Sequence, residues 1–178
     1  MRILAVALLS FFALQAFADH APEWLMSKAK PETTVAGIEV GVSTVADAEK
    51  LYGRTYKSKA LVEDGTETEY VWQLPLSEIH VTTMHPRDRA VGKQIIYAVE
   101  IRQRAGKRST ARTGAGVMMG EDLDSLVRAY GARYMTRWRK LATESEVVTF
   151  IFSNETELSV GFSDEGTITS MLLVESQE

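Results

Sequence analysis

The 178-residue chain has no cysteine. That excludes disulfides, a thiol nucleophile and the lipid-attachment cysteine of a bacterial lipoprotein. It has little histidine: three residues, His20, His80 and His85. It has no excess of positive charge, with 20 Lys and Arg against 24 Asp and Glu and a net charge of −4. The electrostatic footprint of a nucleic-acid binder is therefore missing. No Gly-x-Ser-x-Gly elbow occurs, and neither does a Walker or Rossmann glycine pattern. Long hydrophobic runs are also lacking. The longest, Ile3 to Leu14, is twelve residues, against roughly twenty for a bilayer span. No catalytic, cofactor or metal residue is expected on these grounds, and no nucleic acid, membrane span or lipid anchor.

The short apolar run has a different reading. Arg2 supplies a positive start, Ile3–Leu14 the apolar core and Ala16-Phe17-Ala18 a small-x-small cleavage site. This is the layout of a secretory signal peptide over residues 1–18. Its removal would leave 160 residues with 19 basic and 24 acidic side chains, enough for a core without disulfides. A periplasmic or secreted location is expected, and residues 19–36 read as a leader with Trp24 and Leu25 as packing anchors.

One phrase is written twice. "LYGRTY" at 51–56 is echoed by "AYGARY" at 129–134, with Gly53 and Gly131 standing 78 positions apart. At that offset Val45 meets Leu123, Ala48 meets Leu126, Tyr52 meets Tyr130 and Tyr56 meets Tyr134. The apolar positions before each glycine recur at helical spacing. Thr44 with Asp47 fits a capping box, Asp122 is a good N-cap, and each glycine suits the position after a helix. After each helix the period becomes alternating. The expected strands are 57–63, 66–74, 79–84 and 95–102, then 135–142, 147–152, 157–162 and 167–175. Asp64-Gly65 marks a hairpin between the first two. Alternation puts Tyr70, Trp72 and Leu74 on one face, and Val148, Phe150 and Phe152 on the corresponding face 78 residues later.

The expected fold is thus α+β, as two tandem helix-plus-four-strand antiparallel repeats. The first repeat occupies 37–102, a basic linker 103–113 and the second repeat 114–178. The linker "QRAGKRSTART" carries Arg104, Lys107, Arg108 and Arg112 without an acid. It reads either as a solvated connector or as a surface for anionic contacts.

Gly37-Ile38-Glu39-Val40-Gly41-Val42-Ser43, followed by a short helix and Tyr52-Gly53, resembles a known repeat unit. Similar units build the beta-lactamase inhibitory protein family and the small outer-membrane assembly lipoproteins. In both, a glycine turn precedes a helix and a closing glycine, and an antiparallel sheet follows. The resemblance implies a protein-binding role, as an inhibitor or an envelope assembly factor. The inhibitors carry disulfides and the lipoproteins a lipidated cysteine, and this chain has neither.

The chemistry-bearing residues are sparse. His80 and His85, with Asp88, could serve a hydrolase only if they converge, and their spacing fits no metal signature. Gly114-Ala115-Gly116 and Gly120 lack the lysine of a phosphate loop and read as a turn opening the second repeat. Arg137 and Trp138 in "MTRWRKL" are of the types favoured at interface hot spots. Candidate partner contacts are therefore Arg87, Arg104, Lys107, Arg108, Arg137 and Trp138. The expected function is an exported, non-enzymatic module that binds another exported or envelope protein. A periplasmic small-ligand binder with a cleft between the repeats is the alternative, and it predicts a pocket lined by Tyr52, Tyr130 and Trp72. An unrecognised hydrolase is the third reading.

Overall fold

The computed structural model describes residues 26–63, 65–84, 90–140, 144–152 and 156–175, with backbone alone for 137–140 and 144–145. The signal-peptide reading, Trp24 and Leu25 lie outside these residues, as do His20, Asp64, His85, Arg87 and Asp88.

A two-residue hairpin, β1 (Thr34–Val35) and β2 (Ile38–Glu39), comes first. It turns through Ala36 and Gly37, both with positive φ (52° and 83°). The leader reading did not anticipate this hairpin. Helix α1 (Val45–Tyr52) follows. The Thr44 hydroxyl accepts from the Asp47 N–H, and the Asp47 carboxylate accepts from the Thr44 N–H at 3.0 Å. Both arms of the expected capping box are thus present. Lys50 first, and then Thr44, hold the Asp47 carboxyl well below the usual range. Gly53 ends the helix at φ 86°, a conformation that disfavours any Cβ. Replacing Thr44 by alanine is expected to cost about 1 kcal/mol, read as a lower urea midpoint at unchanged slope.

Four strands follow: β3 (Lys57–Ala60), β4 (Glu67–Gln73), β5 (Ser77–Met84) and β6 (Ile96–Gln103). Helix α2 (Leu123–Tyr130) starts at Asp122, whose carboxylate accepts from the Ser125 N–H, and ends at Gly131 with φ 82°. Strands β7 (Met135–Lys140), β8 (Glu144–Ile151), β9 (Thr156–Phe162) and β10 (Ile168–Glu175) complete the described chain. Among the described residues the protein is α+β, with two α-helices and a mostly antiparallel sheet.

Strands β3 to β10 make one eight-stranded sheet in the order β3-β4-β5-β6-β10-β9-β8-β7. The centre is the β6–β10 pair, where Val99 faces Leu173 and Ile101 faces Met171. All four are fully buried, and each such side chain contributes about 1.5–3 kcal/mol of transfer free energy. One core runs under the sheet. It takes Val45 and Ala48 from α1, Leu126 and Tyr130 from α2, and Trp72 and Phe150 from the strands. Leu74 packs against it only in part. No helix among the described residues is long and apolar enough to cross a membrane.

Candidate functional groove at the linker

The segment before β1 is tied to the second half of the chain. Ser27 donates its N–H to Ile151 O at 2.8 Å and its hydroxyl to Tyr130 O at 2.5 Å. Glu32, buried at 4 % exposure, is the main anchor. Its Oε1 accepts from the Thr33 and Thr34 N–H groups at 3.0 and 2.8 Å. Its Oε2 accepts from the Ala115 N–H at 3.0 Å and the Tyr130 hydroxyl at 2.6 Å. A buried carboxylate is tolerable only with such donors. The Gly114–Gly120 turn is therefore no anion cradle, since a carboxylate of the chain already takes the Ala115 N–H. Space is tight there: a Cβ on Gly114 would lie 2.6 Å from Glu32 Oε1.

Ser27 and Lys30 have Ser-x-x-Lys spacing, which the sequence reading passed over. The Ser27 hydroxyl is buried against Tyr130 O and Lys30 is exposed, so the pair does not form a nucleophile and base.

These ties also fix the basic segment. Arg104 donates its N–H to Leu76 O at 3.1 Å, and Arg112 O accepts from the Ala36 N–H at 2.8 Å. Thr113 pairs with Val35, and Arg112 with Met118, as isolated bridges. Gln103 closes β6, and Ser109 and Thr113 are buried. The segment has a defined path because its ends take part in the hydrogen bonding of their neighbours, which its composition does not disclose. Its charged tips still point outward: Lys107, Arg108 and Arg112 are exposed.

Between this segment, the end of α1 and the β4–β5 turn lies a half-open groove of about 560 Å³. Tyr52, Leu74, Leu76 and Ile79 supply apolar lining, Ser109 a hydroxyl and Arg112 a guanidinium. Leu76 is 40 % exposed there, so the groove offers apolar surface to solvent. The Tyr52 hydroxyl donates to Ala36 O at 2.5 Å, and burial pushes its phenol up to about 12. Unfolded tyrosine ionises near 10. Tyr52 therefore contributes stability that is intact below pH 10 and is lost as pH rises through about 12. Far-UV circular dichroism against pH checks this: alkaline unfolding is expected to begin above pH 10, and Tyr52→Phe should delay it.

The remaining candidates separate. Arg104 is half-buried and reaches Glu78 at 3.7 Å. Arg137 and Trp138 lie on the edge strand β7, opposite Val147 and Glu146, with their side chains outside the described residues. Arg87 is also outside them. Tyr130 and Trp72 are core residues and do not line the groove; of the predicted aromatic trio only Tyr52 does. Trp72 is held against the end of α1, its Nε1 donating to Gly53 O, and the Tyr130 hydroxyl is taken up by Glu32 and Thr113. Met119 is buried and Met118 exposed.

His80 sits on the sheet face opposite the core. Its Nδ1 is 3.0 Å from Glu69 and its Nε2 3.6 Å from Glu78. Arg102, on the neighbouring strand, pairs with Glu100 at 2.7 Å. The hydrogen bond from His80 chiefly holds the Glu69 carboxyl below its usual range. The Nδ1 thus has a hydrogen-bond partner in Glu69, whereas the Nε2 is buried without one, and no metal-binding cluster of three or more ligands occurs among the described residues. A second hollow, about 330 Å³, is lined by Leu123, Phe162, Glu146 and Asp164 and is acidic.

Of the linker cations only Arg112 lines the groove, and the candidate contacts Arg104, Lys107 and Arg108 do not; sequence reasoning left Arg112 out of those contacts and missed Glu32 and the apolar floor. Leu76, between Pro75 and Ser77 in a turn, breaks the alternating pattern, and that was the available signal.

Comparison with known proteins adds little. No family model matches the chain. No curated protein matches it either. Among solved structures it is similar in outline to a DUF4309 family protein, YjgB, from Bacillus subtilis. The two are 14 % identical, with 91 % of this chain and 93 % of that one covered and a TM-score of 0.44.

Proposed function

We propose that the chain is an exported, non-enzymatic binding module that holds another exported or envelope protein at the linker groove. The observation that carries this is the groove itself: exposed apolar floor beside a basic segment whose path is fixed. Interfaces of this kind pair an apolar centre with a charged rim.

We read the architecture as a duplication, two tandem helix-plus-four-strand units. Both helices have eight residues, a polar N-cap and a closing glycine with positive φ. Trp72 and Phe150, 78 positions apart, are both fully buried in the core. On this reading the resemblance to the beta-lactamase inhibitory proteins and the assembly lipoproteins suggests an inhibitor or assembly role. Export in turn predicts a mature chain starting at Asp19, which N-terminal sequencing of the secreted product checks.

The test is a pull-down from envelope extract with the exported protein as bait. One stoichiometric partner, released by high salt, is the expected result. A blank with folded bait would contradict the proposal and favour a second reading. A volume of about 560 Å³ is also suited to a small ligand, which a thermal-shift screen would then find.

A further inference from the structure

We infer that the groove takes an extended acidic segment of its partner, with one apolar side chain on the Leu74–Leu76 floor and carboxylates at Arg112, Lys107 and Arg108. This rests on the binding-module reading and adds the chemistry of what is bound.

Charge complementarity decides the class. The whole chain is at −4, yet residues 104–112 carry four cations and no acid. Arg104 is partnered by Glu78. Lys107, Arg108 and Arg112 are exposed and have no carboxylate partner among the described residues. Arg112 lines the groove, and Lys107 and Arg108 immediately precede its lining residue Ser109 in the chain, so unpaired cations at and next to an apolar floor are suited to an incoming anion.

Shape decides the form. The groove is bounded by three elements, the end of α1, the β4–β5 turn and the linker, and it is half open. It admits a strand or loop of a partner, not a whole side of a domain. Its lining holds two hydroxyl-bearing residues of the linker, Ser109 and Thr110, beside Arg112. Among the described residues no backbone partner is seen for the stretch Arg108 to Thr110, which leaves main-chain groups there for an extended peptide as well.

Arginine at such a site forms bidentate contacts with a carboxylate. The apolar anchor supplies most of the affinity, and the cations supply orientation and association rate. A basic or neutral segment with the same anchor would lose the second contribution and gain repulsion from three cations.

The experiment is a fluorescence-anisotropy titration of the exported protein with a labelled short peptide that carries one leucine between two pairs of aspartates. Two controls replace the aspartates by lysines or the leucine by glycine. Saturable binding of the acidic peptide is expected, weakened about tenfold by raised salt and by Arg112→Glu. Leu76→Asp should abolish it, and both variants should melt like the parent because both side chains are exposed. Absent binding, or equal binding of the lysine peptide, would overturn the inference. A captured partner retained equally by the parent and by the Arg112→Glu variant would also overturn it while leaving the binding-module reading standing. Failure of capture by the parent would remove that reading.

Discussion

Trp72→Ala is expected to destabilise the protein by about 3–5 kcal/mol. The indole is fully buried and packs against three tyrosine rings, those of Tyr56, Tyr52 and Tyr70, at 4.9, 6.0 and 6.4 Å. Its Nε1 donates to Gly53 O at 2.7 Å, which ties the centre of β4 to the end of α1. Alanine removes the ring, leaves a cavity and strands that carbonyl. Trp72→Phe keeps most of the volume and loses the donor, so about 1–2 kcal/mol is expected from it. Urea unfolding followed by circular dichroism measures both. Because β6 and β10 join the halves through one buried seam, a single transition is expected for each variant. Two transitions would mean that the halves unfold independently, and a loss below about 1 kcal/mol for the alanine variant would contradict the packing.

Glu32→Ala should come next, at about 3 kcal/mol. Three backbone N–H groups, on Thr33, Thr34 and Ala115, lose their acceptor in a partly buried place. The Tyr130 hydroxyl retains Thr113 Oγ1 at 2.6 Å and is less affected. Glu32→Gln keeps one acceptor oxygen and should cost less than half as much. A second readout separates this from general damage. Burial raises the Tyr130 phenol first, and the hydrogen bond to Glu32 raises it further. In Glu32→Ala the phenol should therefore titrate lower, though still above a free tyrosine, as seen in absorbance against pH. An unchanged titration would show that the carboxylate does not reach it.

The helices were legible because their signals are local. Thr44, Asp47 and Gly53 act within a turn or two of one another, and so do Asp122 and Gly131. The buried face of β4 was legible too, since Tyr70 and Trp72 stand two apart on one face and are flanked by Glu69 and Gln73. Strand ends were not. β8 begins at Glu144 rather than Val147 because its polar start pairs with Arg139 and Lys140 of β7, and a ladder partner leaves no trace in hydropathy. The anchor at Glu32 was invisible for a related reason. It is one acid in an aperiodic stretch, and its partners Ala115 and Tyr130 lie 83 and 98 residues away. The cations of the linker could be named from composition, but its path could not, because Ala36 and Leu76 set it from elsewhere in the chain.

Where the partner sits is the central question, and photo-crosslinking in cells answers it most directly. A benzophenone side chain would be placed at Thr110, exposed in the groove, and in a control at Glu165, exposed in the β9–β10 turn. The account predicts one discrete adduct from Thr110 and none from Glu165. No adduct at Thr110, or the same adduct from both positions, would contradict it.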